Sequence, residues 1–132
     1  MGKILAIIFL LVTVNSVASA GDNTATPVMV GGVEDLDACT SVGIVSGLDP
    51  EGDAFLAVRA AANANSKMLD KLPEGKKVYI CDSSPDGKWL GIVYTKKGID
   101  CGVSSPIRPA QPYKGRCHSG WVSQKWVKVI AG

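Results

Sequence analysis

The chain contains one histidine, His118, and no two of its four cysteines lie close together along its 132 residues. Structural zinc sites pair cysteines at short spacings such as Cys-x₂-Cys and draw on histidines for further ligands. Neither feature is present, so we expect no metal site and no cofactor. The segment DPEGD (49–53) has acidic residues at alternate positions, but it lacks the rest of a calcium loop and is typical of a β-turn.

A large excess of one charge is also missing. Lys and Arg number 14 and Asp and Glu number 12, which gives a net charge of +2 at pH 7. Proteins that bind nucleic acid or anionic lipid usually have a strongly basic patch or a large positive excess. We therefore expect neither nucleic acid nor an anionic membrane surface as a partner.

Long apolar runs are absent except for one, from Ile4 to Val14. This run has about eleven residues, whereas a transmembrane helix needs about 20. Lys3 precedes it, and Ala18-Ser19-Ala20 follows it, as in a secretory signal peptide with its cleavage site. We predict that residues 1–20 are a cleaved signal peptide rather than a membrane anchor. The mature chain would then be periplasmic or secreted, without stable membrane insertion.

The four cysteines all lie in the predicted mature chain: Cys39, Cys81, Cys101 and Cys117. An even number of cysteines in a small exported domain is typical of disulfide bonds, because the compartment is oxidising and the core is small. The sequence therefore predicts two disulfides.

The remaining pattern is one of strands and turns. Short β-branched and aromatic runs recur about every ten residues with tight turns between them, which predicts a small antiparallel β-barrel. The predicted strands are 28–30, 40–48, 55–60, 76–82, 88–95, 118–123 and 125–130. In the third of these, Leu56 and Val58 alternate with Phe55, Ala57 and Arg59 and should face the core.

The stretch AVRAAANANSKMLDKL (57–72) conflicts with the prediction of an all-strand chain, because its alanines and the spacing of its apolar residues favour a helix. Its neighbours are strands, however, and they decide the interpretation. We predict that a strand ends near Val58, that residues 60–67 form a long loop, and that the next strand covers 68–72.

An ordered set of short motifs resembles the bacterial Src-homology-3-like domains. The matching segments run from residue 56 to residue 122: Leu56-Ala57-Val58-Arg59, Met68-Leu69, Leu72-Pro73-Glu74-Gly75, Val78-Tyr79-Ile80, Gly87-Lys88-Trp89 and Gly120-Trp121-Val122. The resemblance implies an all-β fold: a small, partly open barrel with a long loop after its first strand and a short 3₁₀ turn before its last. The segment before the barrel begins with a stretch rich in Gly, Thr and Asp, so we predict an N-terminal arm at 21–45 and the barrel at 46–132.

The chain departs from that family at two places. Residues 96–117 form an insertion where ordinary members have a few residues. We hypothesise that a Cys101–Cys117 disulfide closes this insertion and that Cys39–Cys81 ties the arm to the barrel. In the long loop, Ala61-Ala62-Asn63 replaces Gly-Pro-Gly, and Ser66 replaces an aromatic residue that lines the family's ligand groove. We expect Asn63, or alternatively Asn65, to adopt the left-handed backbone in place of glycine.

The sequence offers no convincing catalytic residue. His118 and Cys117 are adjacent on a predicted strand, so their side chains should point to opposite faces and cannot form a dyad. We therefore expect that the protein is not an enzyme. The candidate ligand contacts are aromatic and basic residues near the groove or in the insertion: Trp89, Tyr94, Arg108, Tyr113 and Lys114. Among these, Tyr113 is expected to be exposed, whereas Trp121 is expected in the core.

Two functions fit these features. The first is a non-catalytic exported module that recognises a protein or a peptidoglycan peptide in the cell envelope, through the barrel groove and the stapled loop. The second is a periplasmic inhibitor or immunity-type protein that blocks a partner enzyme or toxin. The sequence does not define an oligomeric state.

Overall fold

A computed structural model of the protein describes residues 24–132 and the isolated residues 2, 12 and 13. The predicted signal peptide and its cleavage site lie outside the continuous described region. No helix in the described part of the chain is long and apolar enough to cross a membrane.

The regular structure of residues 24–132 is all-β, as predicted. It consists of nine strands and one 3₁₀ turn at Gln124–Trp126. The strands are β1 (Met29–Val30), β2 (Ser41–Val45), β3 (Leu56–Arg59), β4 (Met68–Leu72), β5 (Lys77–Ser83), β6 (Trp89–Tyr94), β7 (Gln111–Pro112), β8 (His118–Ser123) and β9 (Val127–Ala131).

Seven strands form one antiparallel sheet in the order β4-β3-β8-β6-β5-β2-β9, and β1 pairs with β7 in a separate small sheet. The edge strands β4 and β9 are not paired with each other, so the large sheet is not a closed barrel. Strand β2 lies between β5 and β9. The last residues of the predicted N-terminal arm, 41–45, therefore form an internal strand of the large sheet.

Both faces of the sheet are buried around β6. Ile92 and Val93 are neighbours on this strand and point to opposite faces, yet both are fully buried. One face carries the main core, which includes Leu56 and Val58 as predicted from their alternation. The opposite face carries a second apolar cluster that contains Val30 and Val93. Two buried faces explain why β6 reads as a nearly continuous apolar run.

The second cluster is covered by a layer that two distant parts of the chain build together. Residues 24–40 and 99–117 lie side by side, joined by backbone hydrogen bonds such as Ala38 N–H to Ser105 O at 2.9 Å and Tyr113 N–H to Val28 O at 2.9 Å. The indole N–H of Trp121 donates to Thr26 O at 2.9 Å. Trp121 is buried as predicted, and it fixes the N-terminal segment to β8.

Both predicted disulfide pairings are present. Cys39–Cys81 links the N-terminal segment to β5, and Cys101–Cys117 closes the segment that follows β6. The first bond therefore joins the covering layer to the large sheet, and the second lies within the layer. The disulfides therefore hold the layer over the second cluster.

The ambiguous stretch 57–72 contains no helix. Strand β3 ends at Arg59, a loop of turns and bends covers 60–67, and β4 begins at Met68, as the neighbouring strands predicted. The segment 49–53 is a turn, with the Gly52 N–H donating to Asp49 O at 3.0 Å.

Candidate functional site

One groove on the described surface has a volume of about 510 Å³ and is bordered by three aromatic rings. The rings belong to Phe55, Trp89 and Trp126, each of which is half-buried. Ala57, Arg59 and Ser123 line the groove between these rings, and Asp53, Ala64 and Met68 line its remaining sides. We call this feature the aromatic groove.

The strands position the groove through simple alternation. Leu56 and Val58 point into the main core, so Ala57 and Arg59 on the same strand point outward. Trp89 and Ser123 are register partners on β6 and β8, which places both at the same end of this strand pair. The groove therefore lies on the outer face of β3, β8 and β6.

The 3₁₀ turn supplies the third ring. It separates β8 from β9 and is anchored by two backbone hydrogen bonds, Gln124 N–H to Lys88 O and Ser46 N–H to Trp126 O, both at 2.9 Å. Because the backbone on either side of Trp126 is fixed in this way, its ring is held beside Phe55 at the groove.

The groove carries both signs of charge. Asp53 is exposed at its edge, and Arg59 is half-buried with its guanidinium donating to Ser66 O at 3.0 Å. Two lysine ammonium groups lie over groove rings, Lys71 at 4.6 Å from the centre of Phe55 and Lys125 at 4.8 Å from that of Trp126. The surface thus combines flat apolar area with ionic groups.

A second, smaller depression of about 200 Å³ lies beside the aromatic groove and shares Phe55 and Trp126 with it. Asp49 and Asp53 line this depression, so its border is acidic. The two rings therefore have accessible space on more than one side.

Of the predicted ligand contacts, Trp89 lies in the groove and Tyr94 does not. Tyr94 is only 2% exposed and packs in the main core, and its hydroxyl donates to Asp70 Oδ2 at 2.7 Å. Burial and the adjacent Asp70 carboxylate raise the pKa of Tyr94. The prediction of a ligand contact at Tyr94 is wrong, because its ring belongs to the core.

Tyr113 is also structural, and the prediction that it is exposed is wrong. Its ring is half-buried against the second apolar cluster. Its hydroxyl donates to Cys101 O at 2.9 Å and accepts the N–H of Cys117 at 3.1 Å. These bonds join the two halves of the disulfide-closed segment, so Tyr113 stabilises that segment from within.

Arg108 and Lys114 are exposed. The Arg108 guanidinium lies 3.3 Å from a carboxylate oxygen of Glu34 and 3.9 Å from one of Asp35, so it connects the two parts of the covering layer. Neither Arg108 nor Lys114 lines the aromatic groove. The groove and the stapled segment, which the sequence predicts as joint ligand contacts, therefore do not form one lining.

Sequence reasoning missed most of the groove: Asp53, Phe55, Arg59, Met68 and Trp126. The alternation in 55–60 held a usable signal, because a strand with Leu56 and Val58 inside must place Phe55 outside. Trp126 gave no comparable signal, since its direction is set by the 3₁₀ turn and not by strand alternation.

In the loop 60–67, hydrogen bonds of polar side chains take the place of the glycines and the aromatic ring expected from the resemblance to Src-homology-3-like domains. Ser66 is buried, and its hydroxyl donates within the loop and accepts the N–H of Ala61 at 3.3 Å. Asn63, like Asn65, is not among the residues with positive φ, so the expectation of a left-handed backbone at either asparagine is wrong. The Asn63 carboxamide oxygen instead accepts the N–H of Asn65 at 3.1 Å.

His118 is exposed and its ring stacks on Tyr94 with 5.5 Å between centroids, while Cys117 is held in a disulfide. No cluster of three His, Cys, Asp or Glu residues that could hold a metal ion occurs within the described ranges.

No protein-family model, curated protein or solved structure matches this chain.

Proposed function

We propose that the protein is a non-catalytic exported binding module that recognises an extended peptide of the cell envelope through the aromatic groove. The peptide belongs to an envelope protein or to the peptidoglycan. The observation that carries this proposal is the convergence of Phe55, Trp89 and Trp126 on one open groove. Aromatic side chains that present apolar area at a surface are enriched among residues that dominate binding energy.

The charges around the rings favour a peptide over an apolar small molecule. The Asp53 carboxylate can pair with an amine or guanidinium of a ligand. The guanidinium N–H groups of Arg59 other than the one bonded to Ser66 O can pair with a carboxylate. A peptide offers both charges together with apolar side chains for the rings. Ala54, which precedes Phe55, has a φ of 55°, and strained backbone of this kind concentrates at functional sites.

We further propose that the large sheet is a Src-homology-3-like barrel that is only partly open, with 96–117 as its insertion. The long loop between β3 and β4 and the 3₁₀ turn before the last strand support this proposal. Because folds of this kind carry many functions, the fold alone assigns none to this chain.

A second candidate function is the inhibitor or immunity-type protein. The observation that favours it is the loop 31–38, which exposes Val33 and Leu36. The Gly31 N–H donates to Ala38 O and closes the base of this loop, and the Ala38 N–H donates to Ser105 O and anchors it to the covering layer. A preorganised apolar loop loses little entropy on docking to a protein. The stapled segment itself does not suit this role, because it packs against the sheet.

Co-sedimentation with purified peptidoglycan and capture from envelope extract test the proposed function. We expect the double variant Phe55→Ala, Trp89→Ala to lose at least tenfold in affinity for whichever ligand the wild type retains. The control Ile130→Ala removes an exposed apolar side chain outside the groove and should bind normally. Binding that survives in the groove variant and is lost in Leu36→Ala would instead favour the inhibitor.

A further inference from the structure

A further concave site lies between the end of β6 and the start of β8, away from the aromatic groove, and its charged lining is entirely basic. This cleft has a volume of about 330 Å³. Its polar and charged lining residues are Thr95, Lys96, Lys97, Arg116 and His118, and Cys117 lies among them. We call it the basic cleft.

The disulfide and one threonine build the cleft from two basic segments. Cys101–Cys117 draws the chain that follows Lys96-Lys97 toward Arg116 and His118. The Thr95 hydroxyl oxygen accepts the N–H groups of Lys97 at 3.2 Å and Ile99 at 3.3 Å, which folds the dibasic segment into a tight turn. Separate parts of the sequence thus bring their positive charges to one concavity.

Two of these cations have no acidic partner among residues 24–132. Lys96 is neutralised by Asp70, with 2.9 Å between the ammonium nitrogen and the carboxylate oxygen. Lys97 and Arg116 take part in none of the salt bridges found within residues 24–132, and the lining includes no carboxylate. Like charges held together in a concave site concentrate the field and attract anions.

We propose that the basic cleft binds a small oxyanionic group, such as a phosphate, sulfate or carboxylate, between Lys97 and Arg116. The planar guanidinium of Arg116 can donate two parallel hydrogen bonds to such a group, and Lys97 adds a point charge. His118, whose ring is fixed by stacking on Tyr94, offers a further ring nitrogen at the border of the site.

The site is separate from the aromatic groove. The groove adjoins the register pair Trp89 and Ser123, whereas the cleft adjoins the pair Tyr94 and His118 at the other end of the same two strands. Five residues along a strand span about 17 Å. Anion binding in the cleft and peptide binding in the groove are therefore independent proposals, and a result that refutes one leaves the other unaffected.

Titration of the ¹⁵N-labelled protein with inorganic phosphate, sulfate and acetate, at constant ionic strength set with NaCl, tests the proposal. We expect saturable shifts of the backbone amides of 96–99 and 117–118. The apparent affinity should fall at least fivefold in Arg116→Gln and in Lys97→Gln. It should be unchanged in Lys128→Gln, which removes an exposed cation outside the cleft. The order of the three anions identifies the preferred ligand class.

Two results would overturn the proposal. One is a set of shifts that increases linearly with anion concentration and spreads over exposed lysines throughout the surface, as for unspecific screening. The other is saturable binding that is unchanged in both cleft variants. Because the substitutions replace exposed side chains, the amide spectrum of each free variant shows directly whether its fold is retained.

Discussion

At the scale of single residues, Asp70 shows how one carboxylate joins several parts of the fold. Burial alone raises the pKa of Asp70, but hydrogen bonds from Lys96, from the Tyr94 hydroxyl and from the Lys71 N–H outweigh it and lower the pKa from 3.8 to about 2. The group is more acidic in the folded protein than in the unfolded chain, so its ionised form stabilises the fold.

This shift predicts a specific loss of stability in acid. The contribution of Asp70 is fully present above about pH 4 and is lost as the pH falls toward 2, because the folded pKa is depressed. We expect roughly 1 kcal/mol, allowing for solvent screening at the exposed Lys96. In urea denaturation between pH 5 and 2, Asp70→Asn should lose less stability than the wild type. Asp37→Asn, at an exposed position, should follow the wild type, and equal slopes for all three proteins would refute the assignment.

At the scale of elements, the loop 60–67 shows how context overrides propensity. Its alanines favour a helix when the sequence is considered alone, but the strands on both sides pair with each other in the sheet. The buried Ser66 hydroxyl then supplies the hydrogen bonds that the closed loop needs, donating to Ala61 O at 2.9 Å and lying 2.8 Å from Asn63 O.

Ser66→Ala should therefore destabilise the protein by about 1–3 kcal/mol, because it leaves buried backbone groups of the loop without their partner. Ser66→Tyr, which introduces a large aromatic ring at this position, should destabilise the protein at least as much, since the Ser66 side chain is only 3% exposed. Thermal unfolding measures both effects, with the exposed Ser104→Ala as control. If Ser66→Ala unfolds at the wild-type temperature, the loop does not depend on this hydroxyl.

Some elements were predictable from the sequence because their signals are local. Strand β8 was predicted with its observed bounds, and the inward direction of Leu56 and Val58 followed from alternation. The covering layer was not predictable, because it depends on contacts between distant residues. The Trp121–Thr26 hydrogen bond joins residues that are 95 positions apart in the sequence. Similarly, no local pattern around Tyr113 indicates that its hydroxyl forms hydrogen bonds with the backbone of Cys101 and Cys117.

At the scale of the whole molecule, one sheet is covered on part of its outer face and left open on another part. The layer built from 24–40 and 99–117 covers the second cluster, held by both disulfides. The aromatic groove remains open beside Ala57 and Ser123. The architecture thus separates a stabilised region from the surface that we propose for binding.

The three tryptophans offer the most direct test of that surface. Trp89 and Trp126 line the groove, whereas Trp121 is buried with its indole N–H bonded to Thr26 and serves as an internal control. The measurement is the indole ¹H–¹⁵N spectrum during titration with soluble peptides released from purified peptidoglycan and with an envelope protein retained in the capture experiment. The account predicts that one of these ligands shifts Trp89 and Trp126 in a saturable way and leaves Trp121 in place. Saturable binding that moves none of the groove indoles would contradict it.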